Sequence, residues 1–292
     1  MESRWADLEG PVHYIDHGGR GPALVLIHGL GGSHANWVSV APELARNHHV
    51  YALDLIGFGR TPLLGRQPTI ASNRALVTRF IREIAGGRAS LVGNSMGGTI
   101  SIFTAAAEPD IVDRMVLVDA ACPAPRRTSV DPGVLAAFAA FSIPFVGEMV
   151  LESRARRLTP EQQVRETLRL CTPDASRISP EAVAAQVAVV TERRSRPGMD
   201  RAFLAAARSL VMTLANPAAY HRQVARVKAP TLMIQGSLDR LVSPASARLL
   251  AGSRPDWRFE LLEGVGHVPM LEVPDLVLEI LTPWLTEDEA AA

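Results

Sequence analysis

The stretch "LVGNSMGGTI" (Leu91–Ile100) decides how this chain is read. Ser95 has a glycine two places before it and another two places after it. Apolar residues lead in ("ASLVGN", 89–94), and a helix-compatible run, "SMGGTISIFTAAAEP", follows. A strand ending at Gly93–Asn94 and a helix starting at Met96 leave Ser95 alone in the turn between them. So sharp a turn needs small neighbours, because a side chain at Gly93 or Gly97 would collide with the adjoining strand or helix. The hydroxyl is then held above the sheet at the amino end of a helix. There it can attack a carbonyl while the Met96 amide faces the developing oxyanion.

Working outward, the first half of the chain alternates short apolar runs with helical patterns. Strands are expected at "VHYIDHG" (12–18), "ALVLIHG" (23–29), "HHVYALDL" (48–55), "ASLVGN" (89–94) and "RMVLVDA" (114–120), with a helix near 71–84. Val-, Leu- and Ile-rich runs spaced by helices predict a parallel sheet covered on both faces. From Cys122 to Tyr220 no strand is expected. That segment has helical periodicity broken at Pro144, Pro160, Pro173 and Pro180. Strands resume at "PTLMIQG" (230–236) and "RFELLEG" (258–264), and a last helix runs from about Pro274 to Leu285. The expectation is an α/β core, residues 1–121 and 221–292, with a helical cap, 122–220, inserted over the carboxyl edge of its sheet, where open α/β sheets place ligands.

A serine hydroxyl is a poor nucleophile until a base takes its proton. Among eight histidines, His13, His17, His34, His48, His49 and His221 fall at strand edges, loops or the end of the cap, and are read as structural or solvent-facing. His267, in "LLEGVGHVPMLEVP", follows the last strand in a glycine-bearing loop at the same sheet edge as Ser95. It is the candidate base. The acid that fixes its tautomer is expected at Asp239, directly after the 231–235 strand, with Asp119 at the end of "VLVDA" as the other choice. A second oxyanion donor is expected from "LIHGLGGSHANW", where glycines let a backbone amide approach the substrate; the Leu30 amide is the candidate, and His28 shapes the loop. In "DLIGFGRTP" (54–62), Asp54 and Arg60 are read as a structural pair.

With these pieces in order, the chain resembles the α/β-hydrolase superfamily in its capped "alpha/beta hydrolase-1" branch, over nearly its whole length. "HGLGG", "DLIGFGRT", "GNSMGG", "GSLDRLVS" and "GVGHVPMLEVP" appear in the family's order and at its approximate spacings. The resemblance implies acyl transfer to Ser95 followed by hydrolysis, with no metal or organic cofactor. Family members that open epoxides or displace halide carry aspartate at the nucleophile position. "GNSMGG" is also similar to the elbow of hydrolases that cleave carbon–carbon bonds in ring-fission products, which usually carry tryptophan after the histidine where this chain has Val268. Ester hydrolysis ranks first, carbon–carbon hydrolysis second, and a perhydrolase-like side activity third. A slow-turnover ligand-binding protein of the same fold is the alternative from a different class.

For the pocket, Asn94 beside the nucleophile, Val268 beside the base, and Phe138 and Phe141 in the cap are the candidates. The two phenylalanines either line an acyl pocket or pack the cap onto the core. The arginines at 154, 156, 157, 193, 194 and 196 are read as a solvated face. The chain has 292 residues, is 47% hydrophobic and carries no net charge. Nothing there favours nucleic acid, which usually calls for a basic surplus. Cys122 and Cys171 do not form a metal-ligand spacing or a disulfide framework. The N-terminus lacks the apolar core of a signal peptide, and the uncharged apolar run at 134–147 is broken by Pro144 and Gly147. A cytoplasmic protein without stable membrane insertion, acting on a small hydrophobic ester, is the expectation; the oligomeric state is left open.

Overall fold

The computed structural model describes residues 1–125, 131–143, 145–194, 196 and 198–286. The expected break at Pro144 and the last residues of the chain, 287–292, lie outside the described residues. Eight strands form one sheet: β1 Glu2–Asp7, β2 Pro11–Gly18, β3 Ala23–Ile27, β4 His49–Leu53, β5 Ala89–Asn94, β6 Val112–Val118, β7 Thr231–Gly236 and β8 Arg258–Leu262. Their spatial order is β1-β2-β4-β3-β5-β6-β7-β8. β1 and β2 are antiparallel and β2 meets β4 antiparallel, whereas every pairing from β4 to β8 is parallel.

Side chains alternate between two cores. Val25 and Ile27 of β3 face one side with Leu53, Leu91, Phe80 and Ile100. Leu24 and Leu26 face the other with Ala52, Val92, Ile234, Trp37 and Leu281. Burial on both faces accounts for apolar runs that do not alternate in hydrophobicity. The expected strands 23–29, 48–55 and 258–264 end two residues early, because their terminal residues leave the sheet for loops, and 12–18 begins one residue sooner, at Pro11. β1 was not expected at all. Its residues are mostly exposed, so it carries no buried alternation to read, and it is held by its antiparallel register with β2.

Between β6 and β7 lie helices Pro132–Ser142, Val146–Arg157, Pro160–Cys171, Pro180–Arg194, Met199–Leu214 and Pro217–Val224. The third starts with a reciprocal Thr159/Gln162 cap and a proline in its first turn. This insert touches loops at the carboxyl ends of three strands. Phe203 lies over Gly31 after β3, Ala202 over Gly57 after β4, and the Cys171–Pro173 backbone over Gly266 after β8. Arg60, after β4, makes a two-pronged ion pair with Glu192 in the insert (2.8 and 2.7 Å). The expected pairing of Arg60 with Asp54 is thereby corrected. Only the Arg60 backbone N–H reaches Asp54 (2.9 Å), and the Asp54 carboxylate binds His13 and His34 instead. Arg193 and Arg196 also leave the expected solvated face. Arg193 sits 5.8 Å above the Phe58 ring and reaches the Gly31 carbonyl, while Arg196 donates to the Arg60 carbonyl. Among the described residues, no single helix is long and apolar enough to cross a membrane.

Candidate active site

The strand order places the site. From β3 the chain goes to β4 on one side and then to β5 on the other. The carboxyl ends of β3 and β5 therefore flank the point where the winding reverses, and a crevice opens there. Ser95 follows β5. Its backbone has φ +54° and ψ −118°, a region non-glycine residues occupy only under constraint. The constraint is visible. Ser95 N–H donates to Val118 O (3.0 Å), and Ser95 O accepts from Gly98 (3.0 Å), Thr99 (3.3 Å) and Ala121 (3.0 Å). The glycines are required by contact: a Cβ on Gly93 would stand 2.5 Å from Gly97 O, and one on Gly97 would stand 2.2 Å from Ile27 O.

The loop after β3 comes equally close. A Cβ on Gly29 would lie 2.9 Å from Ser95 Cβ. His28 is fully buried, and burial pushes it down to about 4, so it is neutral. Its Nδ1–H donates to Gly29 O (2.7 Å) and its Nε2 accepts from Leu55 N–H (3.1 Å), tying this loop to the one after β4. Among the described residues, neither the Leu30 nor the Met96 N–H is engaged by an acceptor. Two unspent donors thus border the serine.

His267 and Asp239 meet between the loops after β8 and β7. His267 Nδ1 lies 2.7 Å from Asp239 Oδ2, and both groups are buried. Nε2 is then the ring nitrogen not bonded to the carboxylate. Asp239 Oδ1 accepts from Leu241 N–H (2.8 Å) and Val242 N–H (3.0 Å). Burial alone would raise the Asp239 carboxyl, but the His267 charge and hydrogen bond, with these amides, hold it below its ordinary value. The His267 backbone N–H donates to Cys171 O in the insert (2.6 Å). Arg177, also in the insert, binds Gly264 O (3.0 Å) and Glu272 (2.8 Å), and Glu272 accepts from Gly266 N–H (2.8 Å). The histidine loop is therefore held by the insert as well as by the sheet.

The candidate pocket residues divide. Asn94 is buried, and its side-chain amide donates to Val118 O and His267 O, 3.1 Å each. Val268 is buried among Val164, Leu168 and Leu271. Phe138 and Phe141 are half-buried and meet edge to face at 6.3 Å; Phe141 meets Phe203 at 5.2 Å. Phe203, which reaches Gly31 in the loop after β3, was missed in the sequence. It sits among alanines and leucines of a helix whose partner is more than 150 positions away, and only a bulky residue in a small-residue run marks it.

A sequence profile described as the alpha/beta hydrolase family matches residues 24–280. The chain is similar to Lipase 1 of Psychrobacter immobilis, 30% identical over 272 residues, covering 90% of this chain and 76% of the lipase. It is 36% identical over 107 residues to a 2-hydroxy-6-oxo-6-(2'-aminophenyl)hexa-2,4-dienoic acid hydrolase of Metapseudomonas resinovorans, covering 35% of this chain and 37% of that enzyme. A crystal structure of DBJA superposes with a TM-score of 0.81 at 23% identity, covering 98% of each chain; at that identity the likeness speaks to fold.

Proposed function

This chain belongs to the alpha/beta hydrolase family, and from that membership we propose that it is a serine hydrolase of carboxylic esters with hydrophobic, short-to-medium acyl groups. The observation that carries the reading is the 2.7 Å contact between His267 Nδ1 and Asp239 Oδ2, at the same sheet edge as a serine held in a strained turn. His267 Nε2 takes the Ser95 proton as Oγ bonds to the ester carbonyl carbon. The carbonyl oxygen becomes an oxyanion between the Leu30 and Met96 N–H groups. His267, now an imidazolium steadied by Asp239, returns the proton to the leaving alkoxide as the C–O bond breaks, leaving an acyl-serine. Water then attacks the acyl carbon, again through His267, releasing the acid and restoring Ser95. No step calls on a metal or organic cofactor.

The half-buried row Phe138, Phe141 and Phe203 supports an apolar acyl wall, with residues 122–220 acting as a cap. Carbon–carbon hydrolysis is the second reading, favoured by the relative acting on a dienoic acid. It is weakened by Asn94, whose amide is spent on backbone carbonyls, and by Val268 after the base. Purified protein should hydrolyse p-nitrophenyl esters of short and medium chains. A fluorophosphonate should label Ser95 stoichiometrically and stop turnover, and Asp239→Asn should lower kcat by about 10⁴. Labelling elsewhere, or rapid cleavage of a vinylogous 1,5-diketone with only trace esterase activity, would displace this reading.

A further inference from the structure

Beside Asp239 lies a second buried carboxyl that the steps above do not use. Asp119 follows β6 with φ +46° and is wholly enclosed. Its Oδ1 accepts from Gln235 Nε2 and Gly236 N–H, 2.8 Å each. Its Oδ2 is sealed from solvent and meets no donor among the described residues. Yet Asp119, Asp239 and His267 bring polar atoms within 4.8 Å of one another. Gln235 Nε2 bridges the two carboxyls, reaching Asp239 Oδ2 at 3.1 Å.

Two carboxylates this close in a dry site do not both ionise. The donors decide which keeps the charge. Asp239 has four: Leu241, Val242, His267 and Gln235. Asp119 has two and an empty oxygen. Burial and then the Asp239 charge push Asp119 well above the usual carboxylate range. The other titratable groups facing the pair do not offset this. Glu272 is acidic and is paired with Arg177. The Cys122 and Cys171 thiols are pushed up to about 12 by burial and stay neutral.

We propose that Asp119 is a neutral carboxylic acid whose Oδ2–H donates to the Asp239 carboxylate, making Asp119 a positioning residue for the acid–base pair. It orients the face Asp239 turns to His267 and keeps the charge beneath the imidazole at one. The inference rests on Asp239 and His267 being that pair.

Infrared difference spectra of wild type against Asp119→Asn, at neutral pH and without substrate, test it. A protonated-carboxyl stretch that shifts in D2O and vanishes in Asp119→Asn is expected; its absence from wild type overturns the proposal. Because no substrate is needed, this readout separates failure here from failure of the esterase reading. The pH profile of kcat/KM is the second arm. Asn replaces one neutral donor by another, so Asp119→Asn keeps kcat within about threefold and leaves the acid limb in place. Asp119→Leu loses about tenfold in kcat with little change in KM. An acid limb shifted down by about one unit or more in Asp119→Asn would mean that an anion had been removed, and the proposal would fall.

Discussion

The side-chain amide of Asn94 lies 3.1 Å from the backbone carbonyl of His267, joining the end of β5 to the loop after β8. The same nitrogen reaches Val118 O at 3.1 Å, so one side chain fixes β5, β6 and the histidine loop together. Asn94→Ala would leave the buried His267 carbonyl unpaired, at a cost of about 1–3 kcal/mol, while Val118 O keeps the Ser95 N–H. The expected outcome is a lower melting temperature together with fluorophosphonate labelling slowed at least tenfold. Loss of stability with unchanged labelling would confine Asn94 to packing.

Ser95 carries backbone strain of about 1–3 kcal/mol at φ +54°. Glycine adopts that conformation without a Cβ penalty. Ser95→Gly and Ser95→Ala should both be inactive, with the glycine variant more stable by about 1 kcal/mol despite its larger unfolded-state entropy. Denaturant unfolding of the two dead variants checks this. Equal stabilities would mean that the turn stores nothing.

Phe203 spans the gap between Phe141 and Gly31 in the loop after β3. If it bounds the acyl group, Phe203→Ala should move the preferred p-nitrophenyl ester to longer chains, changing relative kcat/KM by about tenfold. A uniform fall across chain lengths, with lowered melting temperature, would make Phe203 a packing residue only.

Asp54 is fully buried and accepts from His13 Nδ1 (2.7 Å), His34 Nδ1 (2.9 Å), His34 N–H (2.7 Å) and Arg60 N–H (2.9 Å). Burial by itself would raise its carboxyl, but the two histidines more than offset that and hold it far below the ordinary value. A depressed carboxyl contributes stability that is fully present above its unfolded value, about 3.9, and is lost as pH falls toward the folded one. Asp54→Asn should therefore cost about 3–5 kcal/mol at neutral pH, and the gap to wild type should narrow below about pH 4. Parallel unfolding curves down to pH 3 would refute the ionic account.

What was readable in advance follows from distance along the chain. The turn at Ser95 is local. Its glycines, strand and helix lie within nineteen residues, Ala89 to Ala107, so the spacing alone implies the geometry. His267 and Asp239 were readable because each directly follows a strand, and a parallel sheet delivers every such loop to one edge. Arg60 was mispaired because its true partner, Glu192, sits in a helix whose placement no local pattern reports. His13 was read as an edge residue because nothing in "VHYIDHG" shows that its ring points to Asp54. β1 escaped because an exposed edge strand has no core face and so no periodicity.

The hydrogen bond from His267 N–H to Cys171 O makes part of the helical insert a co-owner of the His267 loop. Recombination that traded inserts between relatives, cutting after β6 and before β7, would have to import a matching acceptor or leave the histidine loop loose. The first two helices, with exposed Leu135 and Met149, and the exposed Ile143 and Phe145 between them, are under no such obligation. Within one insert, then, the first two helices can drift quickly, while the turn from Cys171 to Arg177 is bound to the pace of the loop it holds.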